Sequence, residues 1–122
     1  MTVHTITQYK EILRIIEGVR KILTPPSAWT RGVPARNKHN QVVIPFDSTA
    51  TCYDIVGAIM CIAERLNLKG MQHHTMMYLR NFTNKQEIGR WNDDRKNSHD
   101  DMLLMLDKAI TQLKSEIGDI NA

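Results

Sequence analysis

Between residues 5 and 23, Tyr9, Ile12, Leu13, Ile16, Val19 and Leu23 recur at intervals that place them on one stripe of a helix. Thr5 followed three positions later by Gln8 has the spacing of a capping box, in which each side chain satisfies a backbone N–H at the helix start. Pro25-Pro26 stops this helix, because the residue before a proline leaves the α region and proline donates no hydrogen bond. Residues 51–67 return to the same period through Ile55, Val56, Ile59, Met60, Ala63 and Leu66, and Thr51 with Asp54 has the spacing of a cap. The clearest period runs over residues 98–117, through Met102, Leu103, Leu106, Ala109, Ile110, Leu113 and Ile117. Ser98 and Asp101 again have cap spacing, and Asp100 and Asp101 suit the positive first turn of the helix dipole. Residues 71–82, MQHHTMMYLRNF, carry a weaker helical signal in which Met76, Leu79 and Phe82 face the core.

Residues 29–46, WTRGVPARNKHNQVVIPF, break the helical pattern. Gly32 and Pro34 punctuate the stretch, residues 37–40 are a polar turn, and Val42-Val43-Ile44 is β-branched, which together predict a short hairpin. Pro45 belongs at its end or on an edge, where a missing N–H does no harm. The expectation is a mainly α (α+β) single domain over residues 1–122, with three or four packed helices and a small hairpin or irregular arm between helices one and two.

Composition narrows the function classes. A chain of 122 residues can bury a core without disulfides or a metal, and 42% hydrophobic with 24% charged residues is ordinary for a globular protein. A net charge of +3 is mild for a nucleic-acid binder, so nucleic acid is the less favoured partner. Cys52 and Cys61, with no basic-then-apolar leader pattern ahead of them, read as reduced thiols of a cytoplasmic protein. The longest strongly apolar stretch, residues 55–63, is far short of a membrane span.

No catalytic or metal constellation is expected, and no cofactor. His73 and His74 are adjacent and diverge by about 100° on a helix, so they cannot chelate as an i, i+4 pair would. Asp93, Asp94, Asp100 and Asp101 lack the glycine and distal glutamate of a calcium loop. Cys52, near the predicted helix start, has no nameable histidine and acid partner. Trp91-Asn92-Asp93, placed in a loop before the last helix, reads either as a plug with an Asx-turn or as part of a pocket. Arg31, Arg36, Lys38 and His39 gather near Trp29, and Arg80, Lys85, Arg90, Arg95 and Lys96 populate the later loops. If the hairpin folds against the later loop, the two sets make one basic and aromatic surface.

Three stretches in order, AWTRG with ARN and VVIPFDS, then CYDIVGAIMCIAE, then IGRWNDDRKNSHDDMLLMLDKAI, resemble an uncharacterised domain family of actinobacterial genomes and bacteriophages. The resemblance covers about residues 9–113 and rests on Trp29, Gly32, Ala35, Arg36, Gly57, Ala58, Trp91, Asn92, Asp93 and Ala109. Asp54 stands where that family often carries a cysteine. The resemblance implies a shared fold and a phage or bacterial setting, but no reaction. It also implies one structural unit in which Trp91 buttresses the arm, Asn92 and Asp93 fix a turn and line a groove, and Gly57 and Ala58 permit close helix packing.

The expected function is a non-enzymatic binding protein, phage-encoded, that captures or inhibits a host protein in the host cytoplasm. Its expected binding residues are Trp29, Arg31, Arg36, Lys38, Arg90, Trp91, Asn92 and Asp93. The alternative is an oligomeric protein that sequesters a nucleotide-like small molecule, with arginines on phosphate and tryptophan on a base. A third reading makes Asp93 or Asp54 a general base. A homodimer follows if the apolar stripe of the last helix is wider than one core needs.

Overall fold

Ile12, Ile15, Ile16 and Val19 are fully buried on one face of the first helix, α1 (Ile6–Ile22). Burying each such side chain contributes about 1.5–3 kcal/mol, so this face alone goes far towards holding the core. The computed structural model describes residues 4–121, and among these α1 packs most extensively on the last helix and next on the second. Those two neighbours explain why Ile15, absent from the predicted stripe, is buried while Tyr9 and Leu13 lie at its edge. The capping box at Thr5 and Gln8 is present in both directions, and the helix closes at Leu23 just before Pro25-Pro26.

The remaining helices are α2 (Ile55–Arg65), α3 (Gln72–Leu79), α4 (Ile88–Asp93) and α5 (His99–Asn121), and two strands, β1 (Ala35–Asn37) and β2 (Ala50–Tyr53), pair antiparallel between α1 and α2. The protein is mainly α with a small β element, as the periodicity predicts. In α5, Ser98 and Asp101 exchange backbone-to-side-chain hydrogen bonds of 2.9 and 3.0 Å across the first turn, and Met102, Met105, Leu106, Ala109 and Leu113 are buried. Arg20 of α1 pairs with Asp107 of α5 at 2.8 Å. That pair is solvent-exposed and contributes at most about 1 kcal/mol.

Three local expectations are corrected. Residues 50–53 form strand β2 rather than the first turn of helix two, which places Cys52 in the sheet; α2 starts at Ile55 with Asp54, not Thr51, as its N-cap. The turn at residues 37–40 is present, with Asn37 Oδ1 accepting from the N–H groups of His39 and Gln41. Val42-Val43-Ile44, however, is not the second strand of the sheet, and it touches β1 through a single bridge from Val42 to Arg36 and one bond from Val43 N to Ala35 O. With β2 on its other edge, the three-residue β1 has no length left to zip up a further strand. Trp91-Asn92-Asp93, expected in a loop, forms the last half of the short helix α4. A six-residue helix spans under two turns, too few for a periodic apolar stripe to register. In α3, Leu79 is buried as predicted, Met76 and, just past the helix, Phe82 are half-buried, and Thr75 and Tyr78 take the inner positions beside Leu79.

Gly57 also serves a different neighbour from the one its sequence context implies. A Cβ at that position would lie 1.8 Å from the carbonyl oxygen of Pro34, so the glycine admits the backbone of the arm rather than another helix. Asp54 N–H donates to the same Pro34 oxygen at 3.2 Å, drawing the arm down onto the start of α2. A Gly57→Ala substitution therefore cannot keep this contact, and we expect it to cost about 3 kcal/mol or more, read as a large fall in thermal midpoint by circular dichroism. Gly70→Ala, where a Cβ meets nothing within 4 Å, should leave the midpoint within a degree or two.

Candidate functional site

Asn92 is fully buried, and its side-chain amide makes four hydrogen bonds. Its Oδ1 accepts from Trp29 Nε1 at 2.7 Å and from Ile55 N at 3.0 Å, while its Nδ2 donates to Thr30 O at 3.1 Å and to Asp93 Oδ1 at 3.2 Å. An amide offers two donors and two acceptor lone pairs, so none is left over. The orientation is fixed by the partners, because a flipped amide would point its NH2 group at two other donors. Ile55 N–H is an orphan donor of the first turn of α2, and Asp54 Oδ1 satisfies Gly57 N–H nearby at 2.6 Å. Asn92 of α4 thus caps α2 and anchors the arm at one point.

Around this amide the arm is held in a single path. Gly32 sits at φ +85, a conformation that favours glycine, and its N–H donates to Asp93 Oδ1 at 2.8 Å. The guanidinium of Arg31 lies 4.3 Å over the Trp29 ring and donates to Asn97 O at 2.6 Å. The ring of His99 lies against Trp29 with centroids 5.9 Å apart, and His99 Nε2 is 2.7 Å from Leu23 O. Trp29, Thr30, Arg31, Gly32, Asp93 and Arg95 line an open groove of about 680 Å³.

The predicted site residues therefore divide. Trp29, Arg31 and Asp93 meet in the groove, and Asn92 lies beneath it as its support. Trp91 is half-buried against the core, its carbonyl accepting from Asn97 Nδ2 at 2.9 Å. Arg90 is exposed on α4 and does not line the groove. Arg36 and Lys38 lie on β1 and its turn, where the Arg36 guanidinium is 3.4 Å from Asn40 O and Lys38 is exposed. The turn also carries exposed Val42 (60%), Ile44 (62%) and Phe46 (47%).

A second concavity holds residues that sequence reasoning missed. His4, Tyr9, His73, His74, Met77, Tyr78, Asn81 and Glu116 line a cleft of about 400 Å³. His4 Nε2 is 3.1 Å from His74 Nδ1, and Tyr78 OH donates to Glu116 Oε2 at 3.1 Å. The i, i+4 spacing of His74 and Tyr78 puts both on one face of α3, a signal that adjacency of His73 and His74 masked. Burial pushes the Tyr78 hydroxyl well above its usual range, with Glu116 adding to the shift. Among the described residues no group of three or more His, Cys, Asp or Glu side chains is placed to hold a metal ion, and Cys52 and Cys61 are free thiols. No described helix is long and apolar enough to cross a membrane.

A model of the family of unknown function DUF6197 matches residues 7–112, and the chain belongs to that family. Among curated proteins and among solved structures nothing matches the chain.

Asp54 is buried, and burial raises its carboxyl from 3.8 to about 6, with Gly57 N–H opposing the rise and Asp93 adding to it. It caps α2 and does not line the groove, so the raised value reflects the cost of holding a charge under the arm. An acid whose folded-state pKa exceeds its unfolded value stabilises the fold fully only below the unfolded value. That contribution is lost as pH rises through about 6. Asparagine caps as well and carries no charge. Relative to the unaltered protein, Asp54→Asn should gain stability between pH 4 and pH 8 by about 2 kcal/mol, measured by denaturant unfolding across that range. A difference that stays flat with pH would contradict the assignment.

Proposed function

We propose that this DUF6197 protein is a non-enzymatic binding protein that captures a partner protein through its arm. The observation that carries the reading is the exposure of Val42, Ile44 and Phe46 beside Arg36, Lys38 and His39. Val42 and Ile44 stand at alternate positions and face outward, while Val43 between them packs on the core. Apolar side chains gathered on an exposed and well-anchored segment mark an interaction surface rather than a solvated loop. The basic neighbours select a partner whose contact face is apolar with an acidic rim. As that partner we propose a host protein, bound in the host cytoplasm.

The anchoring matters energetically. A segment already held in its bound shape loses little conformational entropy on association, so more of its buried apolar area contributes to affinity. Arg31 and Asp93 act here by holding the arm, and Trp29 does the same through Asn92. The sequestering alternative draws support from Arg31 and Arg95 in the groove. It is weakened at Trp29, one face of whose ring already carries the Arg31 guanidinium.

Native mass spectrometry of the tagged protein from a bacterial lysate tests the reading. We expect a host protein at fixed stoichiometry, lost by about thirtyfold or more in Ile44→Asp and weakened in a salt-dependent way in Lys38→Glu, with both variants folded. Capture unchanged in both variants, or a small molecule retained on a homo-oligomer, would overturn it.

A further inference from the structure

The cleft at the N-terminal end of α1 has a construction that the arm does not explain. Its walls are rings set nearly perpendicular to one another. His4 meets Tyr9 at 5.4 Å and 68°, His4 meets His74 at 5.1 Å and 80°, and Tyr9 meets Tyr78 at 6.4 Å and 78°. These rings give the cleft an aromatic lining. At about 400 Å³ the cleft falls at the small end of the roughly 300–1,000 Å³ typical of ligand pockets.

Its charge is opposite to that of the chain. The protein carries a net +3, yet among the described residues no lysine or arginine lines this cleft, and the carboxylate of Glu116 is the one acid that does. Tyr78 OH and, at 3.5 Å, Gln112 Nε2 hold that carboxylate at the rim, one on each oxygen. The titratable groups facing the space are His4, Tyr9 of α1, His73, His74 and Tyr78 of α3, and Glu116 of α5. A hydrogen bond between His4 Nε2 and His74 Nδ1 requires one nitrogen to accept, so at least one of those rings is neutral while it is formed. Burial and the neighbouring His74 push His4 below its ordinary value, which favours an uncharged ring there.

We propose that this cleft, walled by Tyr9, His74 and Tyr78 and closed by Glu116, binds a free small organic cation with an alkylated ammonium head. Alkyl groups on the nitrogen lower its hydration and fit the ring faces, which attract the positive charge, while the carboxylate neutralises it at the rim. Among the described residues a bare metal ion would find too few ligands here, and an anion would meet Glu116. The proposal is independent of the arm and its partner.

Isothermal titration of the full chain with choline, against its uncharged isostere 3,3-dimethylbutan-1-ol, tests it. Choline should bind saturably, with a Kd below about 10 mM, and the isostere at least about tenfold more weakly. Glu116→Gln keeps the rim's shape and removes its charge, and Tyr9→Leu removes one half-exposed wall; each should weaken choline about tenfold. Arg31→Ala, in the groove, should leave it unchanged. Equal binding of the isostere, no effect of Glu116→Gln in a protein with unaltered circular dichroism, or no saturation with choline would overturn the proposal. Co-sedimentation with phosphatidylcholine vesicles without binding of free choline would overturn it too, by making the ligand a lipid headgroup.

Discussion

One buried amide decides how this chain is put together. The side chain of Asn92 holds the indole of Trp29, the first N–H of α2, the carbonyl of Thr30 and the carboxylate of Asp93 at once. Each such bond contributes about 1 kcal/mol net, but a buried donor or acceptor left without its partner costs about 1–3 kcal/mol, so the group is worth more as a set than bond by bond. Apart from neighbouring Asp93, its partners come from segments 37 to 63 residues away in sequence. Asn92 therefore converts an irregular arm, which has little core of its own, into a fixed part of the fold.

The other constraints gather round that amide. Gly32 turns the chain through a left-handed conformation so that its N–H reaches Asp93. Gly57 leaves room for the Pro34 carbonyl, and Asp54 accepts a buried, partly protonated carboxyl as the cost of capping α2 under the arm. The division of labour is plain. The helices α1, α2 and α5 supply the apolar core, and the polar cluster at Asn92 specifies where the arm lies on it. Val42, Ile44 and Phe46 remain exposed further along the same arm.

How much of this the sequence shows depends on the range of the interactions. The long helices are legible because their period and caps are local: Thr5 with Gln8, and Ser98 with Asp101, are found where spacing puts them. The arm is legible as an interruption, but its pairing is not, since β-propensity alone favours Val42-Val43-Ile44 over the less obvious Ala50–Tyr53. Trp29, Gly32, Asn92 and Asp93 prove to meet in one place, though no spacing announces it. The histidine–tyrosine cleft is the least legible feature, because His4, His74 and Glu116 come from three separate elements and have no motif in common.

The central claim is that Asn92 fixes the arm specifically, beyond any general contribution to stability. Residue-resolved hydrogen exchange in the unaltered protein and in Asn92→Ala tests it most directly. The account predicts that the Trp29 indole N–H and the Ile55 amide lose about a hundredfold or more of their protection in the variant, while core amides such as Ile16 and Leu106 lose much less. Uniform loss across all these sites, or an indole and Ile55 as protected as before, would contradict it.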